Sequence, residues 1–178
     1  PEFMMISRSG KRVFFASDFF PKEGVIGHDS QSYFRDRRNY PIVEVRPKPN
    51  PSPAQLVREM KEALAIAAQK TNNVKSVWLA GSAPLRGYTT GGHIHFTGVP
   101  LTFDLVRSLD NYLAIPCMLI EHPMRAASRR PKYGFLGDIR TKPHGGFEYR
   151  VPASWLVSRR ITEAVLHLAK LVVVEHKR

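Results

Sequence analysis

A single cysteine, Cys117, in 178 residues excludes a disulfide framework and any cysteine-based metal centre. Long apolar runs are missing too: none nears the roughly 20 residues that cross a bilayer. The N-terminal residues lack the charged, apolar and small-residue layout of a signal peptide, so a reducing, cytoplasmic compartment is expected. There is no H-E-x-x-H, no P-loop and no G-x-G-x-x-G, which removes the zincin and the usual glycine-loop nucleotide chemistries. Acidic residues are scarce, 15 Asp and Glu against 27 Lys and Arg, and the resulting formal charge of +12 attracts phosphate-bearing partners. The aromatics do not interleave with the basic residues as they do in an RNA-binding sheet, and no helix carries a basic recognition face. Nucleic acid is therefore a secondary expectation, behind small molecules.

With 43% hydrophobic and 24% charged residues the chain reads as one globular domain over residues 1–178, either complete or part of a longer chain. Val13 to Ala16 and Ile42 to Arg46 read as strands, separated by a polar loop or lid from Asp18 to Tyr40. Ser52 caps a helix with Pro53 in its first position and Gln55 completing a capping box; Leu56, Met60, Ala63, Leu64 and Ala67 form its inward stripe. Val74 to Ala80 is a further strand. Thr102 caps a second helix facing inward through Phe103, Val106, Leu109 and Leu113, with Leu101 and Val106 as a staple and an interruption at Pro116. Ser158 opens the last helix, with Ile161, Val165, Leu168, Ala169 and Val172 inward.

Strand alternation then supplies the chemistry. In GGHIHF, His93, His95 and Thr97 point one way, Ile94 and Phe96 the other, with the imidazoles about 7 Å apart. Glu44 and Arg46 share a face in IVEVR. So do Asp138, Arg140 and Lys142 in GDIRTK, and Glu148 and Arg150 in FEYRV. An ordinary charged surface explains any one of these strands. Four of them stacked in one sheet would give a helix-backed layer whose open face combines carboxylates, imidazoles and guanidinium groups. Glutamate and neutral imidazole suit Mg²⁺ or Mn²⁺ when phosphate oxygens complete the shell, and arginine forks grip phosphate. HIHF lacks the following Glu of a cupin, and no second His-x-Ser/Thr triplet supports a two-histidine phosphoesterase. His167 and His176 read as structural or exposed.

GGHIHF, RRPKYGFLGDIRTKPHGGFEYR and PASWL, with SDFFPKEG, the GHD at residues 27–29 and VEVRPKPNPSP upstream, resemble the phage-type carboxylate–amine ligases (amidoligases), relatives of glutamine synthetase and γ-glutamylcysteine ligase. The resemblance covers nearly the whole chain. It implies an α+β fold, a mainly antiparallel sheet with helices on one face and a metal–ATP site on the other. It also implies ATP-dependent amide formation through an acyl-phosphate, with ADP released and with small-molecule or peptide carboxylate and amine substrates. Glu44, His93 and Glu148 would be metal ligands, His95 would contact ATP phosphate or substrate, and Arg150 would stabilise the transferred phosphoryl group. PEFMMIS matches the acidic strand that opens family members, making Glu2 a further metal ligand, although Glu-Phe before Met is also what a cloning junction encodes. Arg46, Arg130, Arg140 and Lys142 are candidates for nucleotide or substrate phosphate. Tyr133-Gly134 and His144-Gly145-Gly146 read as turns joining the last two strands, and His28 and Asp29 as part of a substrate loop.

Two other classes fit the same residues. One is a non-catalytic basic module for nucleic acid or an acidic peptide; the other is a metal-dependent hydrolase using the same polar face.

Overall fold

A computed structural model describes residues 1–29, 39–143 and 145–177, and the chain divides into two compact units, residues 1–80 and 81–178. Both mix helices with antiparallel strands, as α+β requires.

The first unit is organised around β1 (Glu2–Ser7), whose EFMMIS sequence buries Phe3, Met4 and Met5 together. A strand with both faces apolar must be central, and β1 is. It pairs antiparallel with β4 (Ile42–Val45) through Glu2, Phe3 and Met4, with β2 (Val13–Phe14) through Met5 and Ile6, and with β5 (Ser76–Leu79) through residues 4–7. The supposed loop from Asp18 to Tyr40 contains more structure than its polarity foretells. A 3-10 turn spans Ala16–Asp18, and β3 (Ile26–His28) pairs with β4, because Ile26 supplies a buried apolar anchor beside Gly27. The remainder of that loop, residues 30–38, lies outside the described residues.

Helix α1 (Pro53–Lys70) packs on β3 and β4 through Met60, Ala63 and Ala67. Ser52 caps it, its hydroxyl accepting the Gln55 amide at 3.3 Å. The expected capping box is not closed. Asn50 takes the Ser52 amide at 2.9 Å, and the Gln55 side chain turns outward to Arg58 and Glu59.

In the second unit β6 (Ile94–Phe96), β8 (Phe147–Tyr149) and β7 (Ile139–Thr141) form a three-stranded antiparallel sheet with β8 in the middle. The four polar-faced strands therefore do not share one hydrogen-bonded sheet: β4 finds its partners within residues 1–80, the other three within residues 81–178. Thr102 caps α2 (Phe103–Leu109), which continues through a π-helical turn (Asp110–Ala114) into α3 (Ile115–Leu119). The π turn lies immediately before Pro116, which interrupts less than expected because the widened turn accommodates a residue with no amide to donate. Leu109 and Leu113 face inward as expected, but Leu105 is buried in place of Phe103, which is 75% exposed, and of the half-buried Val106; Leu101 also stays outside, so the staple does not form as drawn. After α4 (Pro123–Arg129) the chain reaches β7, and α5 (Arg159–Glu175), capped by Ser158, closes on α2 and the π turn. It buries Thr162, Val165, Leu166, Ala169 and Val172, with Leu166 in the place expected for Leu168.

Candidate functional site: a carboxylate ringed by cations

Strand register assembles the site. His95, Glu148 and Arg140 stand directly opposite one another across β6, β8 and β7. Paired residues of an antiparallel ladder project to the same face, so the three share one side of the sheet. The opposite face carries Phe147 and Tyr149, both buried. Tyr149 donates its hydroxyl hydrogen to Asp110 of the π turn at 2.6 Å, and burial together with that carboxylate raises the phenol far above its usual range.

Glu148 is on the polar face and yet only 1% exposed, because cationic side chains cover it. Arg140 places both Nε (2.8 Å) and Nη2 (2.5 Å) on Oε2, and Lys142 Nζ adds a third contact to that oxygen at 2.8 Å. The other oxygen, Oε1, receives His93 Nδ1–H at 3.0 Å and lies 3.7 Å from Arg150 Nε. Burial opposes ionisation of this carboxyl, but the hydrogen bonds from His93, Lys142 and Arg140 outweigh it and hold the group well below the usual carboxylate range. Burial lowers the His93 pKa against the pull of Glu148, so the ring is neutral, with its proton on Nδ1. Its Nε2 is buried with no hydrogen-bond partner among the described residues, and Tyr133 meets the ring edge-on at 5.8 Å.

The glycine pair before His93 has a steric cause. A side chain at Gly91 would land on the His93 ring, and one at Gly92 on the Ala153 carbonyl and the Trp155 indole, whose Nε1–H donates to the Gly92 oxygen at 2.8 Å. The two glycines let the chain pass under Trp155 and still hold the imidazole against Glu148.

Arg150, expected to act beside Glu148, leans toward Asp138 instead, Nη1 to Oδ1 at 3.3 Å, and its Nε has no hydrogen-bond partner among the described residues. Arg130 is not brought to this cluster. It binds Glu121 at 2.7 Å and the Gly134 carbonyl at 2.5 Å. Its neighbour Arg129, which sequence reasoning passed over, has no exposed surface at all. It donates to the carbonyls of Val151 (2.9 Å), Arg150 (3.2 Å) and Pro152 (2.9 Å), and its guanidinium lies 4.4 Å from the centre of the Tyr133 ring. It fixes the backbone that carries Arg150. Gly134, at φ +78°, leaves the space that guanidinium fills. No sequence signal separates Arg129 from Arg130.

The remaining expected residues are in the first unit. Glu2 and Glu44 stand opposite each other across β1 and β4, on one face. Like charges so placed repel. Arg46 offsets this at Glu44, its Nη2 2.6 Å and Nε 2.8 Å from Oε2, and also donates to the carbonyls of Lys22 and His28. His28 stacks on Tyr40 at 5.0 Å with its Nδ1 2.9 Å from the Phe20 oxygen. His144 lies outside the described residues.

The cluster can be tested against the divalent cation that the family resemblance implies. An orphaned imidazole nitrogen favours it. The carboxylate does not: both Glu148 oxygens are occupied, and among the described residues no three His, Cys, Asp or Glu side chains gather as a ligand set. As they stand, these residues do not fit a bare divalent cation; three cations on one face fit an oxyanion.

Among the described residues no helix is long and apolar enough to cross a membrane. No curated protein and no solved structure matches the chain. One family model does, over residues 1–178: the phage phiEco32-like COOH.NH2 ligase, type 2. With that match across both units, and with His95 of HIH paired in register with Glu148 of E-x-R, the chain belongs to this phage-related family of carboxylate–amine ligases.

Proposed function

We propose that the protein joins a carboxylate to an amine at the expense of ATP, through an acyl-phosphate, in the cytoplasm. The observation that carries this reading is the convergence of Arg140, Lys142 and Arg150 on one face of the β6–β8–β7 sheet. A carboxylate oxygen attacks the γ-phosphorus and ADP leaves; the amine then attacks the acyl carbon, phosphate leaves, and the amine gives up a proton. The first step brings anions together, so fixed positive charge at the transferred group lowers its barrier.

In this reading Arg150 faces the transferred phosphoryl group, with its guanidinium steadied over Tyr133 at 5.6 Å and its backbone held by Arg129. Arg140 and Lys142 hold the remaining phosphate oxygens. His95, exposed at the end of the cross-strand row, contacts phosphate or substrate. Magnesium, or manganese in its place, would supply further charge neutralisation when carried in on the nucleotide phosphates, with His93 and Glu148 its candidate ligands in this unit.

The test is incubation with ATP, Mg²⁺ and pools of amino acids and polyamines, followed by measurement of ADP and by mass spectrometry of products. A condensed product matched by ADP release supports the ligase. ADP or phosphate released with no product in any pool would place the chain among hydrolases. Steep salt-dependent affinity for DNA or RNA with ATP untouched would make it a binding module.

A further inference from the structure

Glu148 is a problem for any ligand that needs the cluster. It is the only acidic side chain in contact with Arg140 and Lys142 in the ion pairs of the described residues, and it holds both at Oε2 while His93 and Arg150 flank Oε1. We infer that Glu148 is a built-in competing anion: it occupies the position of a phosphate oxygen group among Arg140, Lys142 and Arg150, and a polyphosphate binds by displacing it. This rests on the reading above only for the identity of the ligand; the competition itself is a property of the cluster.

Three features support displacement. Arg140 is 57% exposed in its side chain, so its guanidinium can swing from Glu148 to an incoming oxyanion without unpacking the fold. Arg150 Nε is already without a hydrogen-bond partner among the described residues, a donor in reserve at the same place. A triphosphate carries several negative charges where Glu148 carries one, so exchange favours the ligand even though the internal carboxylate has no translational entropy to lose. Once Arg140 and Lys142 let go, Glu148 Oε2 is open while His93 still holds Oε1. A divalent cation arriving on the phosphates then meets a carboxylate that the free protein does not offer it.

The prediction has an unusual sign. In EDTA at low salt, titration calorimetry with inorganic triphosphate should show weak binding to the full chain and about tenfold tighter binding to Glu148→Gln, which keeps the shape and removes the competing charge. Arg140→Gln, at a largely exposed side chain, should bind several-fold more weakly than the unaltered protein. Mn²⁺ alone, followed by its paramagnetic resonance signal, should not bind the unaltered protein at concentrations that saturate it in the presence of nucleotide.

Equal or weaker triphosphate binding by a folded Glu148→Gln overturns the inference, as does tight Mn²⁺ binding without nucleotide. Should Glu148→Gln not fold, undiminished triphosphate affinity in Arg140→Gln overturns it in the same way. If triphosphate behaves as expected but no carboxylate–amine pair yields product, the ligase reading fails and the competing anion stands. If product forms while Glu148→Gln gains nothing, the reverse holds.

Discussion

The two E-x-R strands, VEVR in the first unit and FEYR in the second, read alike as sequence and differ in what surrounds them. In β4 the arginine folds back on its own glutamate: Arg46 meets Glu44 at 2.6 Å, and that carboxylate remains 26% exposed. In β8 the glutamate is claimed by neighbouring strands. Arg140 and Lys142 of the β7 segment reach Oε2, so Arg150 stays 3.7 Å away and turns to Asp138. The difference lies in the cross-strand partner. Glu44 stands opposite Glu2 and Gly27, which offer it no positive charge; Glu148 stands between His95 and Arg140. A motif sets which residues share a face, and register decides whether they bind one another or wait for a ligand.

That contrast is sharpest in stability. Removing Glu148 as Glu148→Ala takes the counter-charge from Lys142 and from the largely exposed Arg140 and the hydrogen-bond partner from His93, while Arg150 keeps Asp138, a loss on the order of 2 kcal/mol. Glu44→Ala removes one partly exposed partner of one arginine and relieves repulsion with Glu2, so it should change stability by less than about 1 kcal/mol. Urea denaturation of the two variants side by side makes the measurement. Equal costs would erase the distinction drawn between the strands.

The approach to β6 should be comparably sensitive. Gly92→Ala puts a methyl group into the Ala153 carbonyl and the Trp155 ring, and the backbone carbonyl cannot rotate away. A cost of about 2 kcal/mol is expected, in the range for overpacking. A thermal melt within a degree or two of the unaltered protein would mean that the segment relaxes freely.

Much of this architecture was legible beforehand because it is local. Side-chain caps at Ser52, Thr102 and Ser158 follow from residue type and position, and all three form. The alternation that puts His95, Glu148 and Arg140 on one face follows from the pleat. Features set by tertiary register were hidden. On α2 Leu109 and Leu113 turn inward as their spacing implies, but packing buries Leu105 and leaves Phe103 outside. β3 was hidden in a polar stretch because its three residues carry too short a pattern. The buried Arg129 and the part-buried Arg130 are adjacent in sequence, and only packing tells which guanidinium goes fully inward. Nor could spacing reveal that Glu148 would be saturated, because Arg140 and Lys142 reach it from another strand.

Turnover separates the two arginines of the compared motifs. Arg150→Lys keeps a positive charge and loses the planar fork, and turnover should fall by more than about tenfold, equivalent to roughly 1.4 kcal/mol of barrier. Arg46→Lys alters an arginine engaged with Glu44 and two backbone carbonyls, so its effect on turnover should be the smaller of the two. Steady-state assays on the product-forming pair would decide it, and a larger loss for Arg46 would transfer the phosphoryl-facing role to β4.

Alkaline pH supplies the mildest probe, and it acts on the second unit. Burial pushes the Cys117 thiol from an ordinary 9.0 to about 11. Between those values the unfolded chain has released the proton and the folded chain still holds it, so the unfolded state binds fewer protons and stability falls as pH rises. Below about 9 both states are protonated and the contribution is constant. Cys117→Ala removes this one titration, so its urea midpoint should decline less between pH 9 and 11 than that of the unaltered protein, with lysine and tyrosine ionisation common to both. The same burial keeps the thiolate scarce, and a disulfide reagent should label native Cys117 slowly at pH 8 and rapidly in urea. Fast native labelling would mean that the α3 segment opens readily, and the π turn before Pro116 would then be a point of weakness in the helix that carries Asp110 beneath the site.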